Sequence, residues 1–119
     1  MNVLIIEDNP AHLKLAHLVL DAAGFDVNDA PAAEQALETI KAQKPQLILL
    51  DLGLPGMDGL ALVRHLKANP ETADIQIVAV TSYPERFSRK EALAAGCVAY
   101  IAKPINTRTL PGQLEQLLG

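Results

Sequence analysis

The chain has 119 residues, one domain's worth, and is 50% hydrophobic but only 3% aromatic, so its core must be aliphatic. Ten basic residues against 14 acidic ones leave a formal charge of −4, which argues against direct nucleic-acid binding through a basic face. No apolar run approaches the roughly 18 residues of a membrane span, the start Met1-Asn2 lacks a signal peptide's positive charge, and the lone Cys97 excludes an internal disulfide or a cysteine-based metal site, so a cytoplasmic domain without membrane contact is expected.

Val3 to Glu7 reads as the first strand. Asn9-Pro10 then supplies an N-cap and a first-turn proline for a helix ending at Gly24. Leu15, Leu18, Val19 and Ala22 share its apolar face, while His12, Lys14 and Asp21 point elsewhere. A weak strand at Asp26 to Ala30 precedes a helix opened by Pro31, with Ala33, Ala36, Leu37 and Ile40 buried, closing before Pro45. Gln46 to Asp51 is the third strand, Pro55-Gly56 a turn, and Asp58 caps a helix through Leu62 and Leu66 to Asn69-Pro70. Ile75 to Thr81 is the fourth strand, Pro84 starts a helix up to Gly96, and Val98 to Lys103 is the fifth strand. A proline fits only in a helix's first turn, so Pro111 makes the last helix start late, at about Leu110, after a turn over Asn106 to Thr109. Leu110, Leu114, Leu117 and Leu118 form its stripe.

Three strands are apolar at consecutive positions (VLII, LILL, IVAV), as in a parallel sheet covered on both faces. The alternation of strands and helices predicts an α/β, doubly wound, five-stranded parallel sheet. Ligands of such sheets bind beyond the carboxyl ends of the strands. Glu7, Asp8, Asp51, Thr81 and Lys103 all stand at those ends. Two like charges about 4 Å apart repel by about 4 kcal/mol at an effective dielectric near 20, so the carboxylates need a hard cation or the lysine. Oxygen-only donors at a partly open site suit Mg²⁺. A carboxylate beside a metal, a hydroxyl and an ammonium is a good phosphoryl acceptor: the lysine offsets charge on the transferring group, and Thr81 donates to one of its oxygens. Lys103-Pro104 is a candidate cis bond.

Together, Glu7-Asp8, Asp51 with Pro55-Gly56-Met57-Asp58-Gly59, Thr81-Ser82, Tyr100 and Lys103-Pro104 resemble the signature of bacterial two-component response-regulator receiver domains of the single-domain, chemotaxis-regulator type. The match runs in order over essentially the whole chain. It implies a flavodoxin-like (βα)5 fold with strand order 2-1-3-4-5, and a phosphoacceptor switch that turns over no external substrate. The resemblance makes Asp51 the residue phosphorylated by a histidine kinase or histidine phosphotransfer protein. It makes Asp8, Asp51 and the Gly53 backbone carbonyl ligands of Mg²⁺, with Glu7 acting through a metal-bound water. Thr81 would move toward the phosphoryl group and Tyr100 rotate behind it. The face of the fourth helix, fifth strand and fifth helix would then change for a downstream effector, the protein being a monomer or weak homodimer.

Three positions depart from the family's habit, one of them Pro111-Gly112, which falls where the family's last helix is normally under way. Gly53 has no side chain to guide an attacking water, and Tyr83 is bulky enough to shield an acyl phosphate, so a phosphoryl state lasting at least minutes is expected. Rival readings are a receiver module cut from a larger hybrid kinase or regulator, an aspartyl-nucleophile phosphatase and a nucleotide or flavin binder. The phosphatase would want a second Asp at position 53. The binder would want a Gly-rich loop where Glu7-Asp8-Asn9-Pro10 stands. The chain fits one stand-alone domain over residues 1–119. His12 and Lys14 read as a solvated face near a docking kinase, His65 as surface and Cys97 as a small buried filler.

Overall fold

The computed structural model describes residues 1–54 and 58–118; the Pro55-Gly56 turn expected above, with Met57, lies outside the described residues. Strands β1 (Asn2–Ile6), β2 (Asp26–Ala30), β3 (Leu47–Asp51), β4 (Gln76–Thr81) and β5 (Ala99–Ala102) alternate with helices α1 (Pro10–Ala22), α2 (Ala33–Ala42), α3 (Gly59–Ala68), α4 (Arg89–Ala95) and α5 (Leu110–Leu118). All pairings are parallel, in the order β2-β1-β3-β4-β5. This is the flavodoxin-like arrangement expected from the sequence.

The consecutive apolar runs serve both faces of the sheet. Val3, Ile5, Leu49 and Val80 pack with Ala16 and Leu20 of α1 and Leu110 and Leu114 of α5. Their neighbours Leu4, Ile6, Leu50 and Ala79 pack on the other side with α2, α3 and Ala92 of α4. Because successive strand residues point to opposite faces, each run must be apolar throughout. Asp58 caps α3 through its carboxylate, which accepts from the Leu60 amide at 2.9 Å. The next residue has to be Gly59: a Cβ there would lie 2.7 Å from the Cα of Leu52. That close approach brings the start of α3 against the residue following Asp51.

Helix α1 turns a different face inward from the one expected. Ala16 and Leu20 are buried and Leu13 is half-buried, whereas Leu15 and Leu18 are 44% and 56% exposed. The segment PAHLKLAHLVLDA carries apolar residues on both sides, so periodicity alone gives two competing stripes. The small Ala16 settles the choice by letting the helix backbone approach Ile5 and Leu49.

Helix α4 is also shorter than expected: it starts at Arg89, not Pro84. Residues 84–87 form a turn in which the Tyr83 carbonyl accepts from the Arg86 and Phe87 amides. Ser88 then caps the helix by accepting from the Glu91 amide, and its hydroxyl donates back to the Glu91 carboxylate at 3.1 Å. Ser88-Arg89-Lys90-Glu91 has the spacing of a capping box, here closed between the two side chains, and is a start signal stronger than the proline. The late start of α5 is as expected, with Asn106 accepting from the Arg108 and Thr109 amides just before it. Among the described residues no helix is long and apolar enough to cross a membrane.

Candidate functional site

β1 and β3, adjacent and parallel, end side by side, so the chain leaving Ile6 and the last residue of β3 meet at one sheet edge. One oxygen from each of Glu7, Asp8 and Asp51 comes within 4.8 Å of the others. Glu7 is buried, Asp51 half-buried and Asp8 exposed. The Lys103-Pro104 peptide that follows β5 is cis. The Lys103 Nζ bonds the Glu7 Oε1 and lies 3.3 Å from the Asp51 Oδ2. The other Asp51 oxygen accepts from the Gly53 amide at 2.9 Å. Each carboxylate oxygen of Asp51 therefore has its own donor, which fixes the plane of the group.

Burial first, and then the hydrogen bond with Asp51, pushes Glu7 up to about 7 despite the opposing pull of Lys103. Burial also works to raise Asp51. The hydrogen bonds from Glu7 and the Gly53 amide, with the Lys103 charge, outweigh it and hold that carboxyl below its ordinary range. One carboxylate is thus kept ionised at the expense of its neighbour. An acid whose folded-state pKa is raised opposes folding once the unfolded chain ionises. The cost sets in above the ordinary glutamate value and is fully present above about pH 7. Glu7→Gln is accordingly expected to stabilise the metal-free protein at pH 8 by on the order of 1–3 kcal/mol and to have little effect near pH 4.5. Urea denaturation in a chelator at the two pH values checks this; equal effects at both would contradict it.

Thr81 ends β4 and is fully buried; its Oγ1 accepts from the Tyr83 amide at 2.9 Å. Its carbonyl accepts from the Lys103 amide at 2.8 Å, so the two residues are tied through the backbone. Tyr100 of β5 stands apart from the carboxylates. Its hydroxyl donates to the Phe87 carbonyl, and Arg89 lies over its ring at 5.6 Å from the centroid. Tyr83 sits at the mouth of the site: a Cβ on Gly53 would lie 3.5 Å from the Asp51 Oδ1 and 3.7 Å from the Tyr83 ring.

His12 is the residue that sequence reasoning underrated. Instead of belonging wholly to a solvated face, it brings its Nδ1 to 3.0 Å from the Lys103 Nζ. The available signal was its place in the first turn of the helix that Asn9 caps, immediately after Glu7-Asp8. Cys97 is buried as expected, and burial pushes its thiol up to about 11, leaving it unreactive.

A hard set of carboxylate oxygens whose one exposed member, Asp8, faces solvent fits Mg²⁺, which retains several of its waters. The sequence over residues 3–115 matches the family described as the response regulator receiver domain. The polar-differentiation response regulator DivK of Brucella ovis is 31% identical over 118 residues, spanning 99% of this chain and 96% of that protein. The CheY-like response regulator receiver domain protein of Methanospirillum hungatei superimposes with a TM-score of 0.89 at 30% identity, covering 98% of this chain and 92% of its own. The receiver domain of a sensor histidine kinase from Pseudomonas aeruginosa PAO1 has a TM-score of 0.88 at 29% identity, covers 99% and 97%, and holds a magnesium ion in its active-site cleft. With the fold, the strand-end residues and these likenesses in agreement, the chain belongs to the response regulator receiver domains of two-component signalling.

Proposed function

We propose that Asp51 is the phosphoacceptor of a cytoplasmic signalling switch charged by a histidine kinase or a histidine phosphotransfer protein. The observation that carries this reading is the Asp51 carboxylate, flanked by the Lys103 ammonium at 3.3 Å and the Gly53 amide at 2.9 Å at the open end of the sheet. An Asp51 oxygen attacks phosphorus, the donor's phosphorus–nitrogen bond breaks with its electron pair leaving on the imidazole, and an acyl phosphate results. Asp8, Asp51 and the Gly53 carbonyl would hold Mg²⁺, with Glu7 acting through a metal-bound water; the ion supplies positive charge beside the transferring group. Lys103 contributes a second positive charge, and the Thr81 hydroxyl has its proton free to donate to a phosphoryl oxygen because its oxygen accepts from Tyr83. The domain promotes its own phosphorylation and dephosphorylation and processes no other substrate.

The switch follows from the same contacts. Phosphorylation adds about −1.5 to −2 charges and three acceptor oxygens. Moving Thr81 toward them breaks its bond to the Tyr83 amide, at one end of the segment leading to α4. The other end is held by Tyr100 through the Phe87 carbonyl. A pull at Thr81 is thereby passed to Tyr100 and to the face of α4, β5 and α5, the surface proposed for a downstream effector. The phosphatase alternative is disfavoured by Gly53, which offers no acid two residues beyond the nucleophile.

Incubation with acetyl phosphate and Mg²⁺ is expected to add one phosphoryl group, released by hydroxylamine as an acyl phosphate is. A chelator should prevent the addition. Failure to modify the protein with Mg²⁺ present would overturn the reading.

A further inference from the structure

Lys103 ends in an ammonium with three protons and no acceptor. Its side chain is 11% exposed, and Glu7 and Asp51 take two of its directions. The remaining neighbour is the His12 Nδ1 at 3.0 Å, on a residue whose own backbone amide is fixed by the Asn9 cap at 3.2 Å. A donor-only ammonium requires that Nδ1 accept, so His12 carries its proton on Nε2. His12 also stands 3.7 Å from the Glu7 Oε1 and joins Glu7, Asp51 and Lys103 at the mouth of a cavity of about 310 Å³, whose walls include Ile5, Leu49 and Val80.

We infer that His12 is a positioning residue for Lys103, a third anchor from α1 that fixes the ammonium beside the acceptor carboxylate together with Glu7 and Asp51. This deepens the proposed function and rests on it. A lysine arm has four flexible methylenes and loses much rotamer freedom when fixed. An acceptor rooted in the first turn of a helix imposes that order before the phosphoryl group arrives. The role lies in the neutral imidazole's lone pair and not in its size, which makes it separable from simple packing.

Transfer from acetyl phosphate tests this without a docking protein. His12 is about half exposed, so His12→Leu leaves the core untouched while removing the acceptor. Its maximal phosphorylation rate is expected to fall about tenfold, the kinetic equivalent of one charge-assisted hydrogen bond. His12→Asn, whose Oδ1 reaches the place of Nδ1, should restore the rate to within about threefold of wild type. Nitrogen NMR of the imidazole at pH 8 supplies a readout independent of transfer: Nδ1 unprotonated and Nε2 protonated in the wild type, with that preference lost in Lys103→Met. A His12→Leu protein that transfers at the wild-type rate, Leu and Asn variants equally slow, or a proton on Nδ1 would each overturn the inference. A wild-type protein that takes up no phosphoryl group would instead refute the acceptor assignment, leaving the tautomer measurement to decide on His12.

Discussion

Asp51→Asn is expected to take up no phosphoryl group from acetyl phosphate or from a phosphohistidine donor, where the wild type takes up one. The amide has neither the charge nor the nucleophilicity of the carboxylate. It matches the carboxylate in shape, keeps an oxygen for the Gly53 amide and removes a negative charge beside Glu7. The variant should therefore fold at least as stably as the wild type, and loss of modification cannot be ascribed to unfolding. Intact mass before and after treatment gives the answer. Undiminished modification of Asp51→Asn would move the acceptor to another side chain.

Tyr83→Ala is expected to shorten the life of the phosphorylated state by about tenfold, a barrier change of about 1.4 kcal/mol. In the wild type that state should last at least minutes in Mg²⁺ buffer. The argument is spatial. The Tyr83 ring lies beside the space above Gly53, next to the Asp51 Oδ1, where a side chain at position 53 would otherwise stand. The ring is half exposed, but its backbone carbonyl is held by the Arg86 and Phe87 amides, both at 3.0 Å. An apolar plate over the acyl phosphate obstructs water on that flank, and Gly53 offers no polar group to guide a water past it. Decay of the purified phosphoprotein, followed by intact mass, measures both lifetimes. Wild-type decay within seconds, or an unchanged lifetime in Tyr83→Ala, would contradict the shielding role.

Much of this was legible in the sequence because the dominant signals were redundant. The runs VLII, LILL and IVAV fixed buried parallel strands, and the fold then carried Glu7, Asp8, Asp51 and Lys103 to one edge. β2, with Asp26, Asn28 and Asp29 exposed, carries the faintest apolar signal of the five and reads only as a weak strand. Where signals competed, the reading failed. The two apolar stripes of α1 left its inward face undetermined until Ala16 could be seen against the sheet. The Ser88–Glu91 capping box overrode Pro84 as the start of α4. His12 was missed because Lys103 is far from it in sequence and only the closed fold brings their nitrogens together.

A crystal structure of the protein with Mg²⁺ and beryllofluoride tests the central claim most directly. The account predicts beryllium bonded to an Asp51 carboxylate oxygen, fluorines within hydrogen-bond distance of the Thr81 hydroxyl and the Lys103 ammonium, and the metal on Asp8 and Asp51. Beryllofluoride bound away from Asp51, or Lys103 and Thr81 both turned from it, would contradict the account.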